Sequence, residues 1–162
     1  MCEFCEDPSN FEDSTKAFKW HSRYFNVAKE VASWSKDPST QVGAVAIGTN
    51  GQILAQGFNG FPRNMKDTKE RLEDREEKYK RTIHAEMNVI LNAAESGISL
   101  RGATLYVYGL WPCHLCTLSI IQSGIKTVVA RKADLNKAER WIDSVQRSVD
   151  YFHECGVNFI TI

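Results

Sequence analysis

Thr104-Leu105-Tyr106-Val107-Tyr108, the segment Cys113–Ser123 closed by Gly124, and Thr127-Val128-Val129-Ala130 decide the fold class. The outer two runs are short, apolar and rich in β-branched or aromatic residues, as buried strands are. The middle segment reads as a helix with a glycine stop. Residues 136–155 then give an amphipathic helix through Ala138, Trp141, Ile142, Val145, Val149 and Phe152, stopped by Gly156, and 157–162 closes as a strand. Strands and helices alternate, which argues for an α/β layer fold with some parallel pairing.

Working upstream, apolar residues from about Ser14 to Trp34 recur at helical spacing, and Pro38 cannot continue that helix. Val42–Ile47 and Gln52–Gln56 are β-favouring runs flanking Asn50-Gly51. That pair predicts a tight hairpin with both central residues at positive φ. Gly57-Phe58-Asn59-Gly60-Phe61-Pro62 reads as loop. Residues 66–81 carry thirteen charges, seven basic and six acidic. The pairs Asp67/Arg71, Asp74/Lys78 and Glu77/Arg81 have the acid four residues before the base, the favourable order on a solvated helix. The sharper alternative is that Lys78, Lys80 or Arg81 faces an anionic substrate or effector. A second amphipathic helix runs from about Ile83 to Ala94 and stops at Gly97.

The chain has 162 residues, with 20 basic against 20 acidic residues and 43% hydrophobic residues. This suits one domain, 15–162, preceded by an acidic extension, 1–14. Zero net charge argues against a nucleic-acid-coating protein. No apolar run approaches the ~18 residues of a membrane span, and the first ten residues lack signal-peptide order. The expectation is a soluble, cytoplasmic protein with no membrane partner. The five cysteines include two C-x-x-C pairs, Cys2/Cys5 and Cys113/Cys116, a spacing that in a reducing compartment suggests metal or redox chemistry.

Cys113 and Cys116, three apart at a helix start, share one face, and the helix N-terminus favours their thiolates. With His84 they make three ligands, which leave zinc's fourth position for water, the pattern of a catalytic site. Glu86 lies two residues from His84, in reach of that water as a proton carrier. His114 is the local candidate for a fourth, closing ligand, but between the two cysteines it points off their face. His84-Ala85-Glu86 followed by Pro112-Cys113-His114-Leu115-Cys116 matches the H-x-E…P-C-x-x-C signature of zinc deaminases of nucleobases.

From Trp20 to Ile162 the chain resembles the deoxycytidylate (dCMP) deaminases of the cytidine deaminase superfamily. The likeness rests on the segments 35–44 (SKDPSTQVGA), 57–62 (GFNGFP), 81–88 (RTIHAEMN), Pro112–Cys116 and 120–125 (IIQSGI). It implies a three-layer α-β-α fold with a five-stranded mixed sheet, order 2-1-3-4-5, between helices on both faces. It implies Zn2+ on His84, Cys113 and Cys116, and conversion of dCMP and water to dUMP and ammonia, supplying dUMP for dTMP synthesis, with Glu86 shuttling protons. Thr40, Gln41, Val42, Gly43 and Ala44 would line the base, the backbone of Ala85 would touch it, and Asn59 would meet the sugar. Trp111 enters the substrate set because its loop, 108–111, is one residue longer than the family's. A homohexamer is implied, as is a nucleotide effector site at Gly57, Phe58, Asn59 and Gly60 with dCTP as activator and dTTP plus Mg2+ as inhibitor. Phe58 replaces the usual tyrosine and residues 63–67 replace a Cys/Ser/Asp-rich stretch, departures that bear on this control. Alternatives are the same chemistry on dCTP, a modified dCMP or a tRNA or polynucleotide base, and a non-catalytic zinc module. Cys2, Cys5, His153 and Cys155 are a candidate second, structural zinc site.

Overall fold

The computed structural model describes residues 11–131 and 141–162, with side chains from residue 18 onward. Cys2, Cys5 and the expected helical residues 136–140 lie outside the described residues. Five strands, β1 (Gly43–Ile47), β2 (Ile53–Phe58), β3 (Thr104–Tyr108), β4 (Thr127–Ala130) and β5 (Asn158–Thr161), form one sheet. Its order is β2-β1-β3-β4-β5, as expected. β1 is antiparallel to β2 and β3, whereas β3, β4 and β5 run parallel.

Helix α1 (Phe11–Ala32) covers one face and starts three residues before the expected Ser14. Its Phe25 and Ala28 pack on Val45, Ile47, Tyr106 and Val129. The other face carries α4 (Ala85–Glu95), α5 (His114–Gln122) and α6 (Ile142–Glu154), whose Val89, Ile120 and Phe152 share a core with Ala44, Ala46, Leu105 and Val128. β1 therefore sends alternate side chains to opposite layers, the period-two rule of a strand buried on both faces. Gly43 is required by closeness: a Cβ there would sit 2.3 Å from the Ala28 carbonyl oxygen of α1.

Three local expectations are corrected. The β1–β2 turn has positive φ at Gly51 but not at Asn50. The Gly51 N–H donates to the Gly48 oxygen at 2.9 Å, so the loop is three residues long with glycine at the left-handed position. Gly57 and Phe58 belong to β2 rather than to a loop, because α4 covers that edge. Asn88 and Asn92 of α4 donate to the Phe58 and Gln56 carbonyls, each at 2.7 Å, and satisfy groups an edge strand would expose.

The charged stretch is two short helices, α2 (Lys69–Glu73) and α3 (Arg75–Arg81), divided at Asp74. Asp74 leaves helical geometry, and its carboxylate accepts the Glu77 N–H at 3.0 Å as an N-cap. Of the three expected pairs only Glu77–Arg81 forms. Asp67 bonds Lys36 at 2.7 Å, and Lys78 bonds Asp37 at 2.8 Å.

Candidate active site

The site is built where two helices begin at neighbouring places beyond the sheet. β3 and the following turn deliver Cys113, in extended conformation (φ −74°, ψ 161°), as the N-cap of α5. His84 caps α4 in the same conformation (φ −68°, ψ 155°). His84 Nδ1 lies 3.5 Å from Cys113 Sγ and 3.4 Å from Cys116 Sγ. Tetrahedral zinc with Zn–S ~2.3 Å and Zn–N ~2.0–2.1 Å requires N···S separations of about 3.6 Å. The three donors fit such an ion in chemistry and spacing, and they are the metal-capable His/Cys/Asp/Glu group found among the described residues.

Electrostatics follow from the crowding. A hydrogen bond from the Cys116 thiol, helped by His84, outweighs burial and holds the Cys113 thiol down at about 4. The same bond and burial push Cys116 well above its ordinary value, and the contact with Cys113 raises His84. Cysteine binds a metal as thiolate, so Cys113 and Cys116 would both give up their protons to hold an ion here. Glu86, in the first turn of α4, is only 3% exposed, and burial lifts its carboxyl to about 7. That value suits a group that takes and returns protons near neutrality.

Supports reach the turns that carry His84 and Cys113 from elsewhere. The Gly60–Ile83 bridge, with N–H···O distances of 2.8 and 3.1 Å, ties the end of the 57–60 segment to the residue before His84. On α6, the Ser148 hydroxyl donates to the Pro112 carbonyl at 2.9 Å. Ser144 Oγ accepts the His114 N–H at 3.1 Å and lies 2.9 Å from its Nδ1. The His114 ring is thus taken up by α6, away from the sulfurs, as its position between the cysteines suggested. Ser144 and Ser148 carry no sequence signal beyond their four-residue spacing.

The expected substrate residues are braced together. Asn59 Nδ2 donates to the Thr40 carbonyl at 2.9 Å, and Gln41 Nε2 to the Ser35 carbonyl at 2.6 Å. Val42, Ala44 and Ala85 are buried in one core, and Gly43 turns its open side to α1. Gly109 (φ 106°) backs onto this segment: a Cβ there would stand 2.6 Å from the Gln41 oxygen. The Trp111 indole N–H donates to the Arg131 carbonyl at 2.5 Å, and its ring stands edge-on to Phe159. Phe58, Asn59 and Gly60 line a separate cleft with Trp34, Phe61 and Met65. Cys155 is exposed, and its expected zinc partners Cys2 and Cys5 lie outside the described residues.

The family model for the cytidine and deoxycytidylate deaminase zinc-binding region matches residues 18–132. An uncharacterized deaminase encoded in the luxG 3′ region of Aliivibrio fischeri is 42% identical over 139 residues, covering 86% of this chain and 90% of that protein. Human deoxycytidylate deaminase is 35% identical over 116 residues, which cover 68% of this chain and 64% of that protein. Among solved structures, a dCMP deaminase from cyanophage S-TIM5, in complex with dCMP and dUMP, shares the fold at TM-score 0.71 and 24% identity. The superposition covers 89% of this chain and 97% of the phage chain. The chain belongs to the cytidine and deoxycytidylate deaminase family of hydrolytic deaminases.

Proposed function

We propose that this protein hydrolyses dCMP to dUMP and ammonia, with zinc held by His84, Cys113 and Cys116. The observation that carries the reading is a buried Glu86 beside a three-donor cluster whose spacing suits zinc with one position open. The relatives named deoxycytidylate deaminase support the choice of dCMP. Zinc, when bound, supplies Lewis acidity that brings a water's pKa down to about 7.

The chain's own residues do the rest. Glu86 accepts a proton from the water that adds to C4 of the cytosine ring and hands it to ring N3. It then carries the second proton to the departing amine, so the net change is water in and ammonia out. Thr40–Ala44 and the Ala85 backbone hold the base, and Asn59 stands at the sugar. Trp111 acts on this pocket through its loop.

Effector control belongs to the same reading, with dCTP, or dTTP plus Mg2+, at the cleft of Phe58, Asn59 and Gly60. The cations around that cleft are paired: Lys36 with Asp67, Arg63 with Glu95, Lys78 with Asp37. An effector phosphate must compete with these carboxylates. The family resemblance supports a homohexamer in the cytoplasm; no helix among the described residues is long and apolar enough to cross a membrane.

Ammonia release with dCMP, deoxycytidine, dCTP, a modified dCMP and tRNA offered in parallel tests the reading. Turnover of dCMP well above the others is expected. Deoxycytidine turned over as fast as dCMP would remove phosphate-dependent recognition, and silence on every substrate with zinc bound would mean a non-catalytic module.

A further inference from the structure

Lys78 has the solvation of a core residue, with its side chain 5% exposed. Its stem leaves α3 and its ammonium ends inside the protein, 2.8 Å from Asp37 Oδ1 and 2.6 Å from Ser39 Oγ. Asp37 Oδ1 also accepts the Ser39 N–H at 2.8 Å, the Ser39 hydroxyl at 2.7 Å and the Thr40 N–H at 3.1 Å. One carboxylate oxygen thus organises the turn that leads into Thr40–Ala44, and one buried cation fixes that carboxylate to a helix 41 residues away in sequence. A lysine is seldom buried this far without a partner that repays its desolvation.

We propose that Lys78 is a positioning residue for the deamination: through Asp37 and Ser39 it sets the shape of the Thr40–Ala44 segment that meets the base. The inference rests on the assignment of that segment to the substrate pocket. Lys78 touches none of His84, Cys113, Cys116 or Glu86 through its ammonium, so its influence falls on substrate binding more than on the chemical step.

The test compares wild type, Lys78→Met and the double variant Lys78→Met/Asp37→Asn in zinc-loaded protein, by kinetics on dCMP, zinc content, thermal midpoint and hydrogen exchange across residues 37–42. Lys78→Met is expected to raise KM about ten-fold, with kcat within about three-fold and zinc content unchanged. The double variant no longer buries an unpaired carboxylate, so its midpoint recovers while KM stays high and exchange in the turn stays fast. Should Lys78→Met fail to fold, the double variant carries the comparison alone. A KM that returns to the wild-type value with the midpoint makes Lys78 purely structural and overturns the proposal, as does an unchanged KM in Lys78→Met. If wild type does not turn over dCMP, the functional reading fails separately. Hydrogen exchange then decides, and unchanged protection of residues 37–42 in the variants overturns the proposal.

Discussion

Asn59 and Val42 are joined twice: the Asn59 N–H donates to the Val42 oxygen at 3.1 Å, and Val42 N–H donates to Asn59 Oδ1 at 2.8 Å. The end of β2 therefore holds the entrance of β1 through a side chain as well as the backbone. Asn59 itself is nearly buried, and its carbonyl accepts the Ser35 hydroxyl at 2.7 Å.

Asn59→Ala leaves the Val42 N–H and the Thr40 carbonyl without these partners inside the protein. An unpaired buried group costs about 1–3 kcal/mol. Denaturant unfolding is expected to show a loss of that size, together with a raised KM if, as proposed, the loosened Thr40–Ala44 segment lines the base.

Gly57→Ala tests how closely α4 lies on β2. The new Cβ would stand 2.6 Å from the Val89 nitrogen and 2.7 Å from the Ala85 oxygen, both backbone atoms of the helix that carries Glu86. Overpacking of this kind costs about 1–3 kcal/mol or more. Thermal unfolding should show the destabilisation. Competition with a chelator should show weaker zinc binding, since α4 cannot move without His84.

Much of this arrangement is legible in the residues, and the exceptions have identifiable causes. Alternating elements argue for the α/β layers, the family resemblance implies the sheet order, and a motif of unusual specificity brings His84 together with Cys113 and Cys116. Asp74 was legible in principle, since Asp-x-x-Glu at 74–77 is a capping signal, but the regular charge spacing across 66–81 masks it. The turn at Asn50-Gly51 takes a longer form, with its hydrogen bond closing on Gly48. Lys78 shows the limit most plainly. Its spacing from Asp74 suggests a surface pair, whereas its partner Asp37 is supplied by tertiary packing.

Ser148→Ala removes the hydroxyl that holds the Pro112 carbonyl one residue before Cys113, a proposed zinc ligand. Partners of this kind, one step behind the ligands, typically change metal affinity by about 10–100-fold. Zinc affinity measured by competition should fall toward that range while the far-ultraviolet circular dichroism stays unchanged.

Asp37 gives a pH signature. Burial would raise its carboxyl, yet the Lys78 ammonium, the Ser39 hydroxyl and the Ser39 and Thr40 N–H groups hold it below its ordinary value. A depressed carboxylate adds stability above its unfolded pKa, and that contribution is lost as pH falls through the folded value. Asp37→Asn should therefore destabilise the protein at pH 7. The gap to wild type should close progressively below about pH 4. A constant gap down to pH 2 would contradict the ion pair.

If Glu86 moves protons beside a metal it does not bind, Glu86→Gln assayed with dCMP separates the proton carrier from the metal site. Dialysed protein is assayed for zinc per chain and dUMP formation in the same sample. One zinc is expected to stay on His84, Cys113 and Cys116, with kcat lowered by about 10²–10⁴-fold or more. Glu86→Gln that keeps near wild-type turnover, or that loses its zinc along with its activity, would contradict it.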